Sequence, residues 1–469
     1  MGKRKTNKLI SNIIKDNMMD YSAYVLLNRA LPSLEDGLKP VHRRILYSMW
    51  KDRAFKFTKC ANINGYVMQY HPHGDSYPTL VKLAQKDRHN TPLIEGKGNF
   101  GQATSRDLDY GAMRYTEAKL TPLAIDSMQN FEKDIVDFVP NYDGTKTMPK
   151  HLPVKHPNIL TMENDGIGVG MSSSFAPFNS IEVCEATEKY ALTGEHTNLY
   201  FDFATGGTLI ASDEEIEKIN KTGQGQVTIR AKINILKKTA FEITEIPFNT
   251  TREAIIKRIS DLARDKKVEV SDVKDLTGLK GQKILVVVKR GADIEKVIQK
   301  LYKLSPLQTN YSANMNLLVD GLPKVLGVHE IIERWLKWRA ECIKRGIRFD
   351  IQQMKKKLNI LYGLQKILVD LDRAIQIIRF EEEDKIDSTL MSTFGISEEQ
   401  AREVSKMRLR DISKQNIEKK ILEIQELEQK ITIWEYSLTD EKQITNTIVN
   451  GLRTTAEKHG KARMTIIQK

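Results

Sequence analysis

Ile347-Arg348-Phe349-Asp350-Ile351-Gln352-Gln353-Met354-Lys355-Lys356-Lys357-Leu358-Asn359-Ile360-Leu361 sets Ile347, Ile351, Met354, Leu358 and Leu361 at steps of four, three, four and three. That alternation is a heptad seam, the signature of a long helix laid along another. After a three-residue shift, Leu364, Leu368, Leu371, Ile375 and Ile378 extend it. A second run, Ile417, Ile421, Ile424, Leu427, Ile431, Trp434 and Leu438, has the same character. Two such seams predict an antiparallel coiled-coil hairpin, a structural spacer, with Phe394–Ser397 and Met407–Leu409 in a small helical cap at its tip. All 14 prolines lie at or before Pro323, so the tail from about Val328 onward is expected to be almost wholly helical.

Upstream of that tail the pattern changes. Between about Pro149 and Pro323, β-rich runs such as Gly225–Arg230 and Ile284–Val288 alternate with helical segments such as Thr251–Asp265 and Asp293–Leu304. This predicts an α/β region with a mixed sheet. The first 140 or so residues read as mainly helical, with helices over Val41–Met49 and Ala61–Gln69 and a third beginning at Ser76 as N-cap. Pro78 is tolerated in that first turn. Three short helices among basic residues are compatible with a helix-turn-helix DNA-binding unit.

A chain of 469 residues suggests two to four domains, and 40% hydrophobic with 29% charged residues describes a soluble globular protein. No apolar run is long enough to span a membrane, so no membrane partner is expected, and the basic N-terminus is not followed by a signal-type core. Lysine and arginine total 73 against 61 aspartate and glutamate, a net charge of +12, which favours a polyanionic partner such as nucleic acid. Cys60, Cys184 and Cys342 form no paired motif, which excludes a structural zinc site and fits a reducing cytoplasm.

Four stretches carry chemistry. Arg29-Ala30-Leu31-Pro32 through Asp36-Gly37-Leu38-Lys39-Pro40-Val41-His42-Arg43-Arg44 concentrates Arg29, Lys39, His42, Arg43 and Arg44, and arginine forks match phosphate oxygens. Taken alone, such a cluster is more often a solvated basic face. Tyr70-His71-Pro72-His73-Gly74-Asp75-Ser76 is weak as a metal site, with only Asp75 to complete it. A helix starting at Ser76 would instead present N–H groups to a phosphate, with a nearby histidine as hydrogen-bond donor or proton carrier. Gly96-Lys97-Gly98-Asn99-Phe100-Gly101 matches no P-loop, so any ATP use belongs to another polypeptide. In Ala112-Met113-Arg114-Tyr115-Thr116-Glu117 the arginine would stabilise a phenolate and the negative charge of a phosphoryl transition state. One tyrosine among 15 carries little weight by itself.

Together and in this order, the motifs resemble the A subunits of bacterial DNA gyrase and topoisomerase IV, nearly end to end. Further matches are Asn141–Gly144, Gly166–Met171, Glu245-Ile246-Pro247 and the run Leu307 to Gly321. The resemblance implies a multidomain α/β (α+β) breakage-reunion core. Its parts would begin with an N-terminal helical arm over 1–35 that contacts the partner subunit. A winged-helix-type DNA-binding domain would occupy 36–148. An α/β tower would follow over 149–327, then a long antiparallel coiled coil with a helical dimerisation cap over 328–469.

It further implies that Tyr115 is the nucleophile that links covalently to a DNA 5′ end and Arg114 its catalytic neighbour, with Arg29 and His73 near the scissile phosphate. Lys39, His42, Arg43, Arg44, His71, Ser76 and Lys82 would contact DNA. Ile167 would wedge between base pairs, although on its own it also reads as a buried strand residue. The chain itself would hold no metal and no cofactor; Mg2+ and ATP would sit on a partner B subunit. Partners would be double-stranded DNA, the B subunit in an A2B2 assembly, and a second copy of the chain in a homodimer, in the cytoplasm at the nucleoid.

Two departures from the pattern are expected to matter. The chain is about two residues shorter after Asp75-Ser76 and lacks the acidic residue a turn later, so quinolone action should be weakened; cleavage complexes trapped at ordinary drug concentrations would count against that. The C-terminal β-propeller with its gyrase box is expected to be absent. A non-enzymatic dimeric DNA-binding scaffold is the competing reading; the Arg-Tyr pair alone would also suit a different tyrosine-based nuclease or recombinase, but the long dimer-forming hairpin and the co-linear motifs exclude that.

Overall fold

The computed structural model describes residues 10–72, 74–278, 281–406 and 414–468. The chain divides into two compact units, Met1–Phe131 with Val136–Arg339 and Ile448–Lys469, and Glu132–Ile135 with Ala340–Thr447.

In the first unit, helices Pro40–Lys51, Cys60–Met68 and Tyr77–Ala84 accompany a three-stranded antiparallel sheet ordered Thr58–Lys59, Glu117–Leu120, Ile94–Lys97. Pro40 begins its helix where the absent N–H does no harm, and Pro78 sits likewise in the first turn of the third, at its second position. The buried faces of these helices, Ile45, Leu46 and Met49, then Ile63 and Val67, then Leu80, Val81 and Leu83, are spaced at helical intervals. A short π-helical turn, Leu26–Ala30, precedes them and follows helix Ile10–Val25.

Two larger sheets follow. One is a six-stranded mixed sheet ordered Ile466–Gln468, Thr208–Ile210, Gln224–Arg230, Gln308–Asn314, Ser172–Phe175, Asn164–Ile167, antiparallel except for the first pair. The other is antiparallel, ordered Lys232–Lys237, Ala240–Glu245, Ile284–Val288, Val270–Asp275. Helix Arg252–Arg264 contributes Ile255, Ile259 and Leu262 to its core, and helix Ile294–Leu304 contributes Val297, Ile298 and Leu301. Against them lie Ile284, Val286 and Val288, alternate residues of one strand. Each such side chain contributes about 1.5–3 kcal/mol by leaving water.

In the second unit, the seam residues Ile351, Leu358 and Leu361 pack with Ile424, Leu427 and Ile431, flanked by Ile347, Met354, Trp434 and Leu438. Lys355 pairs with Glu435 and Tyr362 with Glu428; the partner number falls as the first rises, so the helices run antiparallel. The seam does not continue through Ile378 as its spacing suggested. Helix Val328–Leu368 ends, Asp370 caps the N–H of Arg373, and a new helix spans Leu371–Phe380. Ala374 and Ile367 join Leu390, Ile396, Ala401 and Val404 in a separate small core, while Ile378 is exposed. An aspartate competing for backbone N–H groups overrides the heptad count. Ile421 is likewise exposed, and Met407–Leu409 of the expected cap lie outside the described residues. The tail, expected to be almost wholly helical, also contains one short strand, Ile466–Gln468.

Candidate functional site: an exposed tyrosine turn and a basic, apolar-tipped face

Tyr115 sits in a tight turn immediately before strand Glu117–Leu120, closed by its own N–H donating to the Ala112 carbonyl at 2.9 Å. Its side chain is 69% exposed, and the Arg114 guanidinium lies 4.7 Å from its ring centroid. An exposed phenol under a permanent positive charge suits attack on an anionic ester, because the cation favours the phenolate and the charge-rich transition state alike. The two residues expected to act together are adjacent in space as well as in sequence.

Helix Tyr77–Ala84 leads from this turn to a second cluster. Lys82, in its last turn, is exposed and about 7.5 Å along the axis from Tyr77. Lys39 is partly buried, and its ammonium donates to the Asp165 carbonyl. Burial, together with the like charge of Lys82, pulls the Lys39 pKa below its ordinary value; Asp165 and Glu163 oppose this. Asp165 belongs to the hairpin Asn164–Ile167/Ser172–Phe175, whose tip exposes Ile167 at 90%, with Val169 and Met171 beside it. Solitary exposed aliphatics are ordinary, but three at one hairpin tip make an apolar point. The glycines around Ile167 are there for packing: a Cβ on Gly166 would meet the Ala30 carbonyl oxygen at 2.1 Å, and one on Gly168 would meet Leu26 at 2.5 Å. The hairpin therefore lies directly on the turn that carries Arg29, which is exposed. Arg29, Lys39, Lys82 and Ile167 form one face.

Other residues of the basic stretch are used differently. Arg43, expected to contact DNA, is only 6% exposed. It donates from Nε and Nη2 to Asp36 at 2.6 and 2.9 Å, and from Nη2 to Ser33 Oγ and the Leu38 carbonyl, both at 3.1 Å. Asp36 also accepts from the Leu152 N–H at 2.8 Å. Burial alone would raise the Asp36 pKa, but the Arg43 charge outweighs it and holds the carboxyl below its usual value. A fork spent on a buried carboxylate braces the chain and is not available to a phosphate. His42 is half-buried, and burial backed by Lys39 keeps it neutral. Arg44 and His71 line a cavity of about 580 Å3 with Tyr24, Glu35, Tyr142 and His151. Burial, then the neighbouring Arg43, pushes Arg44 down to about 10.

Ser76 stands at the expected cap position, yet its hydroxyl donates to Asn64 Oδ1 at 2.6 Å and it is buried. The N–H of Tyr77 is taken by Asp75 at 2.9 Å. Ser76 thus ties two helices together instead of facing a ligand. His73 lies outside the described residues. Sequence reasoning did not single out Asn64, Tyr77 or Thr116, which brace the Tyr115 turn; each is an ordinary core residue until its partner is known. Among the described residues no three His, Cys, Asp or Glu side chains converge as a metal site, and no helix is long and apolar enough to cross a membrane.

An exposed tyrosine braced on a small helix-and-sheet domain, beside a basic face with an apolar point, defines the class of site. Residues 29–453 match the family model for the A subunits of DNA gyrase and topoisomerase IV. The DNA gyrase A subunit of Chlamydia pneumoniae is 36% identical over 482 residues, covering 98% of this chain and 57% of that protein. That of Streptomyces coelicolor is 36% identical over 471 residues, with 95% and 54% covered, and that of Staphylococcus aureus 34% over 488, with 99% and 54%. This chain belongs to the family of DNA gyrase and topoisomerase IV A subunits, and it spans about half the length of the curated relatives it matches.

Proposed function

We propose that this chain breaks and rejoins duplex DNA through Tyr115, as the breakage-reunion subunit of an ATP-dependent type IIA topoisomerase that passes one duplex through another. The observation that carries the reading is the exposed Tyr115 beneath the Arg114 guanidinium, in a member of this family. The Tyr115 oxygen attacks phosphorus, an O–P bond forms, and the bond to the 3′ oxygen breaks, that oxygen taking up a proton. The 5′ end remains on the tyrosine. One phosphodiester replaces another, so return of the 3′ hydroxyl reseals the strand without an energy source. Arg114 offsets the developing charge. Arg29, Lys39 and Lys82 grip the backbone, and Ile167 inserts between base pairs, its unstacking cost offset by a bend that wraps more protein surface. His73 belongs by family to the same phosphate site.

Residues 36–148 act in this reading as a winged-helix-type domain and 149–327 as the tower. Residues 328–469 act as a coiled coil with a dimerisation cap, and 1–35 as an arm toward the B subunit. Mg2+ would supply Lewis-acid assistance from B-subunit carboxylates; the Arg114 guanidinium beside Tyr115 suits a phosphate rather than a metal. ATP would bind the B subunit in an A2B2 assembly at the nucleoid. The test is cleavage of supercoiled plasmid by this chain with magnesium plus a cognate B subunit, followed by detergent and protease. Linear DNA carrying protein on its 5′ ends, absent with Tyr115→Phe, is the expected result. DNA binding with no adduct under any metal or partner condition would establish a non-enzymatic scaffold instead.

A further inference from the structure

The turn that carries Tyr115 is pinned at both ends by one atom. The hydroxyl oxygen of Tyr77 lies 2.6 Å from the Gly111 carbonyl oxygen and 2.8 Å from Thr116 Oγ1. A carbonyl only accepts, so the Tyr77 hydroxyl proton goes to Gly111, and the Thr116 hydroxyl must then donate to Tyr77. Gly111 and Thr116 are the residues just outside the Ala112–Tyr115 turn. The Tyr77 side chain is 3% exposed and stands edge-on to Tyr110, ring centroids 5.5 Å apart. Burial raises its pKa, so it stays a donor at neutral pH.

The clamp reaches further back. The Tyr77 N–H is capped by Asp75, and the preceding Ser76 bonds Asn64 through both its N–H and its hydroxyl. Asn64 in turn has its amide nitrogen 4.0 Å from the Met113 sulfur, on the turn itself. The Asp75-Ser76-Tyr77 helix start is thus wired to the nucleophile turn at both of its ends and at Met113.

We infer that Tyr77 is a positioning residue for strand cleavage, holding the Arg114-Tyr115 turn in its attacking geometry through its bonds to Gly111 and Thr116. The inference rests on Tyr115 being the nucleophile. An exposed side chain on an untethered turn samples many orientations, and small misplacements of a nucleophile are costly in rate. Loss of the hydroxyl frees both ends of the turn at once, while the ring remains against Tyr110.

The experiment is cleavage of a duplex oligonucleotide by this chain with magnesium plus its cognate B subunit, measured at saturating DNA, with DNA affinity measured separately. Tyr115→Phe serves as the reference for the nucleophile itself. Tyr77→Phe is expected to slow cleavage by about tenfold to a hundredfold, with DNA affinity changed less than about twofold. Thr116→Val should slow it similarly and Thr116→Ser should not, since serine keeps the donor; Tyr77→Phe with Thr116→Val should be little slower than either alone. Unchanged cleavage in Tyr77→Phe, or an equal fall in affinity and rate, overturns the inference. If Tyr77→Phe does not fold, the Thr116 pair decides: equal rates for serine and valine overturn it. An adduct that survives Tyr115→Phe would instead refute the nucleophile assignment, a separate outcome.

Discussion

Arg43 and Arg114 are both arginines in motifs that resemble DNA-handling sequences, yet their surroundings could hardly differ more. Arg43 is sunk into the protein, its fork closed on Asp36, with Ser33 and Leu38 also accepting from its Nη2. Arg114 lies at the surface over the ring of an exposed tyrosine. The stretch 29–44 is dense in positive charge, but the charge of Arg43 is architecture. The turn 111–116 has one cation and presents it outward. Charge density in a sequence marks where electrostatics matters, and burial decides whether it holds the protein together or meets a ligand.

The comparison breaks most sharply at Tyr115. Tyr115→Phe should abolish covalent DNA linkage altogether while leaving the melting curve unmoved, since only an exposed oxygen is lost; any surviving adduct would end the assignment. Next, Arg43→Ala should cost about 3–5 kcal/mol of stability by stranding the buried Asp36 carboxylate. Arg114→Ala should cost less than about 0.5 kcal/mol but slow cleavage by about a hundredfold. Urea titrations with the cleavage assay would separate the two, and equal destabilisation would erase the distinction drawn between them.

A subtler effect concerns Glu35 and His151, which line the cavity beside Arg43 and Arg44, with Nδ1 of His151 3.5 Å from the Glu35 carboxylate. Burial raises Glu35 to about 7, so its contribution to stability is fully present below its unfolded value and is lost as pH rises through about 7. Burial lowers His151 to about 4, so its contribution is present above its unfolded value and is lost as pH falls through about 4. Between these limits the two slopes oppose. Glu35→Gln should therefore make stability rise more steeply with pH between about 4.5 and 7 than in the parent, by up to about 3 kcal/mol across the window. Parallel pH profiles from thermal melts would refute this. The smallest effect on the fold is expected at Ile167: Ile167→Ala should change stability by less than about 0.5 kcal/mol, yet reduce DNA bending measured by energy transfer between labelled duplex ends.

Much of the architecture could be read from the residues. The helical segment read over Asp293–Leu304 forms as helix Ile294–Leu304, strand Ile284–Val288 spans the run its β-branched residues indicate, and the proline-free tail is dominated by helices. What escaped was decided by which side chains the fold brings together, not by their residue types. Nothing near Arg43 says that its fork will close on Asp36 within a shell completed by Leu152, and nothing near Ser76 says that Asn64 will claim its hydroxyl. The helix break at Asp370 was a local signal overruled in the reading by a persuasive heptad count. Of the site, the exposed Tyr115 and Ile167 fit their motifs, whereas Tyr77 became visible only through the two hydrogen bonds it makes across the fold.

The strand Ile466–Gln468 has a consequence for how the molecule is made. It completes the six-stranded sheet by parallel pairing with Thr208–Ile210, and just before it the Met464 N–H donates to Asp202 across 262 residues. On a ribosome adding about 5–20 residues per second, roughly 13 to 50 seconds pass between the emergence of those partners. Throughout that interval Thr208–Ile210 is an open sheet edge, available to any other extended chain in the cell. Closing so long a loop also places the sheet among slowly folding topologies. The nascent protein is therefore most exposed to mispairing at this sheet while strand Ile466–Gln468 is still to be synthesised, and a chaperone that shields that one edge would do more for its yield than one that stabilises any of its helices.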